Sequence, residues 1–162
     1  MTGVRGVTGK VRLRSVEEGD IDVFYDHQLD PVATEMAAFP SREKDRFVAH
    51  WAKIRANDTS TLRTILIDDL VAGNMLSWQQ DGQHFVGYWV GRDYWGRGIA
   101  TEALAQFLND VTARPLYAHV AVHNVGSIRV LEKAGFQRDR ELEATASPPD
   151  DGIEEFVFVL DA

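Results

Sequence analysis

Cysteine is absent from all 162 residues. That excludes disulfides, zinc–thiolate sites, iron–sulfur clusters and thiol nucleophiles. Long apolar runs are also missing. None approaches the ~18 residues that a membrane-spanning helix needs. Residues 1–10 carry glycine and basic residues but no apolar stretch, so no secretory signal is read there, and a cytoplasmic protein without a membrane partner is expected. Positive charge is in short supply: 17 Lys and Arg stand against 25 Asp and Glu, a net charge of −8. A nucleic-acid partner needs a basic footprint, and this chain has none overall.

What is present is the composition of an ordinary globular protein, 44% hydrophobic and 26% charged. The length fits about one domain, which needs no cross-links to bury its core. Residues 1–10 are expected to form a flexible segment and residues 11–162 one domain, with no internal repeat and no linker. Charge is uneven within it. Residues 92–140 hold seven basic residues and five acids, whereas residues 141–162 hold seven acids and no Lys or Arg. A mildly basic middle fits a local anion site.

The patterning alternates strands and helices. Val11–Arg14 reads as a short strand. Residues 19–29 carry Ile21, Phe24, Tyr25 and Leu29 at helical spacing, and Pro31 stops that helix. Ser41 is placed to cap a second helix with Phe47, Trp51 and Ile54 as its stripe, ending at Asn57-Asp58. Leu62–Ile67, Val71–Gln79 and His84–Val90 read as strands of an antiparallel meander. Asp68-Asp69 and Asp81-Gly82 supply its turns. A helix follows Gly96-Arg97-Gly98, with Leu104, Phe107, Leu108 and Val111 on one face. Leu116–Val122 reads as a buried strand and Asn124–Ala134 as a helix stopped by Gly135. Phe136–Leu142 and Phe156–Leu160 read as the last strands. The fold class is therefore mixed α/β: about six to seven mostly antiparallel strands, about four helices and at least one parallel strand–helix–strand step.

The strand–glycine turn–helix over residues 84–111 is the chemical signal. Glycines there let backbone N–H groups approach a ligand, and a helix N-terminus favours phosphate. No Gly-Lys-Ser/Thr follows, so this is not a P-loop. Thr101 stands where the third glycine of a dinucleotide fingerprint would be.

Val86-Gly87-Tyr88-Trp89-Val90 followed by Tyr94-Trp95-Gly96-Arg97-Gly98-Ile99-Ala100-Thr101 resembles the acetyl-CoA site of the GNAT superfamily of N-acetyltransferases. His123-Asn124-Val125-Gly126-Ser127-Ile128-Arg129-Val130-Leu131-Glu132-Lys133-Ala134-Gly135-Phe136 resembles that superfamily's second signature. Order and separation agree, and the likeness covers most of residues 11–160. The branch most similar contains the N-terminal acetyltransferases of ribosomal proteins.

The resemblance implies acetyl-CoA as co-substrate, no metal, and direct transfer of acetyl to a primary amine, either a protein N-terminus or a small cationic amine. It implies a single-domain sheet splayed at the cofactor cleft. The diphosphate would be held by the turn Gly96, Arg97, Gly98, Ile99, Ala100 and Thr101. Trp89, Val90 and Gly91 would pair with the pantetheine arm. Asn124 would meet that arm from the far side, with Arg129 and Lys133 near the nucleotide. Trp95 departs from the Gln or Arg usual at its position. Leu131 departs from the usual tyrosine acid, and Ser127 is the hydroxyl that can replace it. Phe85 stands where a carboxylate base is common, which leaves His84 as the ionisable neighbour, ahead of Asp26 and Glu35. The structural alternatives are a helix cap for Asn124, a local first-turn serine for Ser127, a solvated face for Arg129 and Lys133, and core for Tyr88 or Trp89. Tyr25, Phe39, Trp51 and Trp78 are candidate pocket aromatics, although Trp51 fits a core stripe equally well. Acids in residues 19–60 and 143–155 would attract a cationic amine. Homodimerisation is left open, as are a catalytically silent acyl-CoA-binding module and a different donor such as succinyl-CoA.

Overall fold

The computed structural model describes residues 9–37, 41–145 and 154–161. Most of the flexible segment expected at 1–10, the aromatic Phe39 and the acids Asp150 and Asp151 lie outside the described residues. The elements in chain order are β1 Val11–Arg14, α1 Asp20–Gln28, α2 Pro31–Ala37, α3 Lys44–Arg55, β2 Thr61–Ile67, β3 Leu70–Gln80, β4 Gln83–Val90, α4 Ile99–Asp110, β5 Leu116–Ala121, α5 Val125–Lys133, β6 Gln137–Arg138, α6 Arg140–Thr145 and β7 Glu155–Leu160. A 3-10 turn, Arg92–Tyr94, joins β4 to the glycine turn before α4. Among the described residues no helix is long and apolar enough to cross a membrane.

The seven strands form one sheet in the order β1-β2-β3-β4-β5-β7-β6. Strands β1 to β4 are an antiparallel meander. Asp68 and Asp69 take φ of 49° and 67°, and Asp81 and Gly82 take 53° and 78°. Two left-handed residues in succession make the tight turn whose twist matches a hairpin, which is why Asp and Gly stand there.

Alternation along the strands divides the apolar residues between two faces. Ile65, Ile67, Met75 and Val86 meet Leu104 and Phe107 of α4 in the larger core. Leu62, Val71 and Leu76 meet Ile21 and Phe24 of α1 and Phe47 and Trp51 of α3 in the smaller one. The second core is tied to the sheet by a buried carboxylate. Asp20 receives Arg14 Nη1 at 2.6 Å, Thr64 Oγ1 at 2.7 Å and the Glu17 backbone N–H at 2.8 Å.

Three local expectations need correction. Pro31 does stop α1, but it also opens α2. Asp30 Oδ1 accepts the Val32 N–H at 2.8 Å, and proline suits the first helical position. Ser41 does not cap α3, whose N-cap is Glu43 without a side-chain bond. Gln28 instead fixes the entry through both Arg42 backbone groups, at 2.8 and 3.2 Å. The strand expected at Phe136–Leu142 is only two residues long before α6 begins. Asp139 Oδ1 accepts the Leu142 N–H at 3.0 Å and turns the chain into that helix.

The parallel step runs β4–α4–β5, and its pairing is brief. Only His84↔Leu116 and Phe85↔Tyr117 are matched. Beyond them β4 stays with β3 as far as Val90, while β5 stays with β7 as far as Ala121. The sheet therefore splays between its two central strands.

Candidate active site

A cavity of about 570 Å³ lies at the splay. One wall is Tyr88, Trp89 and Val90 of β4. The first turn of α4 and the first turns of α5 face it across the gap, and α2 closes the remaining side with Ala33, Met36 and Ala37. The arrangement gathers residues from four elements spread over a hundred positions.

The α4 end turns backbone donors toward the cavity. Gly98 is the N-cap at φ 74°, ψ 10°, with no side-chain cap bond. Gly96 also has φ 74°. Both conformations cost little for glycine and disfavour other residues. They bring Ile99, Ala100 and Thr101 to the cavity as the first helical residues, whose N–H groups have no acceptor inside the helix. Arg129 and Lys133, one turn apart on α5, also line the cavity.

Nine of the eleven expected cofactor residues border the cavity: Trp89, Val90, Gly96, Gly98, Ile99, Ala100, Thr101, Asn124 and Arg129. Two do not. Gly91 is buried, its N–H bonded to the Ala72 carbonyl at 2.8 Å and its carbonyl to the Tyr94 N–H at 2.9 Å. A Cβ on it would stand 2.7 Å from His27 Nε2, so this glycine serves close packing. Arg97 lies with its guanidinium 5.8 Å from the Tyr94 ring centroid and does not line the cavity. Trp95, the residue in the unusual position, donates its indole N–H to the Val90 carbonyl at 2.8 Å. Trp89 Nε1 is buried and has no hydrogen-bond partner among the described residues.

On the α5 side, Asn124 is both a cap and a cavity residue. Its Oδ1 accepts the Ser127 N–H at 3.2 Å. Ser127 Oγ lies 2.7 Å from Tyr88 Oη, and both residues line the cavity. Burial pushes the Tyr88 phenol up to about 12, against the opposing effect of the Ser127 hydrogen bond. Tyr88 is thus a neutral hydroxyl throughout the physiological range. The body of Tyr88 packs on the larger core, as its pattern suggests, while its hydroxyl belongs to the site. Sequence reading misses this pair because 39 residues separate its members.

His84 is not in the lining. It sits in the part of β4 still paired with β5, four residues before Tyr88, roughly 13 Å away at ~3.3 Å per residue. Tyr25, Trp51 and Trp78 are not in the lining either. Tyr25 and Trp51 belong to the second core, and Trp78 stacks on Phe85 with centroids 5.8 Å apart. Several acids expected near the mouth are engaged in local structure. Asp20 holds Arg14, Asp30 caps α2 and pairs with Arg92 at 3.5 Å, and Glu143 pairs with Arg138 at 2.7 Å. The described lining contains Arg129 and Lys133 but no Asp, Glu or His.

Residues 10–137 match the family model of the acetyltransferase (GNAT) domain. An uncharacterised N-acetyltransferase of Bacillus licheniformis, p20, is 27% identical over 146 residues, 82% of either chain. The spermidine N-acetyltransferase of Vibrio cholerae, solved with CoA and spermine, superposes with a TM-score of 0.74 at 16% identity, covering 92% of both chains. RimJ of Mycobacterium smegmatis, solved with CoA-disulfide, superposes with a TM-score of 0.73 at 24% identity, covering 95% of this chain and 83% of that one.

Proposed function

Because this chain belongs to the acetyltransferase (GNAT) family and is an acyl-CoA-dependent acetyltransferase acting on amines, we propose that it carries acetyl from acetyl-CoA to the α-amine of a protein or peptide by direct attack. The observation that carries this reading is the cavity itself. It joins an anion-ready helix end to a hydroxyl pair and an apolar α2 wall.

The residues present fit the co-substrate. Gly98, Ile99, Ala100 and Thr101 would hold the diphosphate through backbone N–H groups and the positive end of α4. Arg129 and Lys133 would add formal charge beside it. The open edges of β4 and β5 would pair with the pantetheine arm, with Trp89, Val90 and the side chain of Asn124 alongside. Acetyl-CoA supplies a thioester whose thiolate is a good leaving group. Ser127, held by Asn124 and Tyr88, would face the departing sulfur. No enzyme nucleophile is needed, which suits a chain without cysteine.

The choice of amine follows from what must be neutral to attack. An α-amino group, with a pKa near 8, is about one-tenth neutral at pH 7, whereas an alkylammonium near 10.4 is neutral only about once in 2,500. The described lining offers two cations and no carboxylate or imidazole to deprotonate or attract a polyamine. An amine that is already partly neutral is the better match. The apolar surface of Ala33, Met36 and Ala37 suits a small first residue.

The test is thiol release from acetyl-CoA over peptides with small N-terminal residues, spermidine and an aminoglycoside, with succinyl-CoA as the comparison donor. Peptides should turn over fastest, and Ser127→Ala should slow them about a hundredfold, as for a lost transition-state donor. Faster turnover of spermidine refutes the acceptor assignment. Tight CoA binding with no thiol release from any amine would instead mark a silent binding module.

A further inference from the structure

We propose that Tyr88 is a positioning residue for Ser127: its phenol donates to Ser127 Oγ and turns the serine's own hydroxyl hydrogen into the cavity, toward the sulfur that leaves. This rests on the reading above, in which Ser127 faces that sulfur.

The direction of the 2.7 Å bond is the first point. A phenol is far more acidic than an aliphatic hydroxyl, so it is the stronger donor of the two. Its surroundings agree. Tyr88 Oη lies 2.7 Å from Ser127 Oγ and 3.4 Å from the Ser127 carbonyl oxygen. One hydroxyl hydrogen set between two acceptors of the same residue is a donor's place. The Ser127 N–H is fixed separately on Asn124 Oδ1 at 3.2 Å. With its backbone held and its oxygen accepting from Tyr88, the Ser127 hydroxyl has its hydrogen left for the cavity it lines.

The second point is what the pair does. The attacking nitrogen forms a bond to the acyl carbon, the carbon–sulfur bond breaks, and its electron pair leaves on sulfur. The proton lost by the amine passes to water. A thiol has a pKa near 8.5, whereas the buried phenol stands at about 12. Full proton transfer from Tyr88 through Ser127 to the thiolate would run uphill by about three orders of magnitude. A hydrogen bond that strengthens as charge grows on sulfur meets no such barrier. The thiolate then takes its proton from solvent. Tyr88 polarises the serine, since hydrogen bonds in a chain reinforce one another.

Steady-state kinetics on the full chain separate the two layers of the argument. We expect Tyr88→Phe to lower kcat about fivefold to tenfold, with KM for acetyl-CoA and the calorimetric Kd for CoA within twofold. Ser127→Ala should lower kcat more, Ser127→Thr should restore most of it, and the double variant Tyr88→Phe/Ser127→Ala should be no slower than Ser127→Ala alone. Wild-type kcat in Tyr88→Phe, with Ser127→Ala slow, overturns the positioning role and leaves Ser127 in place. Wild-type kcat in Ser127→Ala overturns the reading beneath it. Losses that multiply in the double variant show Tyr88 acting independently and refute the proposal. So would a basic limb in the wild-type kcat profile that Tyr88→Phe removes, because Tyr88 would then be giving up its proton. Thermal melts of each variant verify that the fold survives.

Discussion

The glycine at the cap of α4 offers a test in which backbone strain and ligand approach can be read apart. Gly98 has φ 74° and borders the cavity. Gly82 has φ 78° in the β3–β4 turn, and a Cβ there meets nothing within 4 Å. An alanine at either position carries the same left-handed penalty, about 1–2 kcal/mol. Only at Gly98 would the new side chain stand where, on the proposed function, phosphate comes close to the N–H groups of the first turn. Hydrogen bonds to a charged group are worth about 1.5–3 kcal/mol each. Displacing the ligand from two of them with Gly98→Val removes about 3 kcal/mol, roughly a hundredfold in Kd. Calorimetric titration of CoA into wild type, Gly82→Ala, Gly98→Ala and Gly98→Val, with a thermal melt of each, is the assay. Gly82→Ala should lose stability and keep the wild-type Kd. Gly98→Ala should lose similar stability and bind measurably less tightly, and Gly98→Val should bind worst. A folded Gly98→Val that binds CoA within threefold of wild type refutes the assignment of the α4 end to the diphosphate.

Two further perturbations address the scaffold. Burial alone would raise the Asp20 carboxyl, but the bonds from Arg14, Thr64 and the Glu17 backbone outweigh it and hold it below its usual range. Asp20→Asn should cost about 2 kcal/mol at pH 7. The carboxylate's contribution is complete above the unfolded pKa near 3.9 and is lost as pH falls through the lower native value. Urea unfolding should therefore show a constant gap between wild type and variant from pH 7 to about 5 that closes in stronger acid, and a gap undiminished at pH 2 would contradict this. Gly91→Ala places a Cβ 2.7 Å from His27 Nε2 without backbone strain, since φ is −58°. It should cost about 1–3 kcal/mol by overpacking. His27→Ala in the same chain should recover most of that loss, and simple additivity of the two would show that the contact is not the cause.

Much of the architecture was legible because the chain's local chemistry and its long-range packing agree. Asp68-Asp69 and Asp81-Gly82 demand hairpins. The stripe Leu104, Phe107 demands a helix buried on one side, and Gly135, at φ 98°, stops α5. Elements were lost where a polar side chain overrides the apolar pattern. Asp30 before Pro31 restarts a helix that periodicity alone reads as finished. Asp139 caps α6 inside a stretch that reads as strand, and Arg138 gripping Glu143 holds that turn in place. The site divides in the same way. The α4 glycines announce themselves because their geometry is local. The α2 wall, the Tyr88–Ser127 contact and the Trp95 indole on the Val90 carbonyl do not, because each depends on where the sheet opens. His84 lies outside the lining for that reason: it sits where β4 still pairs with β5, before the strands part.

The brevity of the β4–β5 pairing leaves the sheet as two halves joined along a seam of two matched residue pairs. An arm with amides of its own, laid into that opening, would act as a missing rung between the halves. Loading the donor would then be a mechanical event as much as a chemical one: it would splice the two halves into a continuous slab and stiffen the ground on which the second substrate lands.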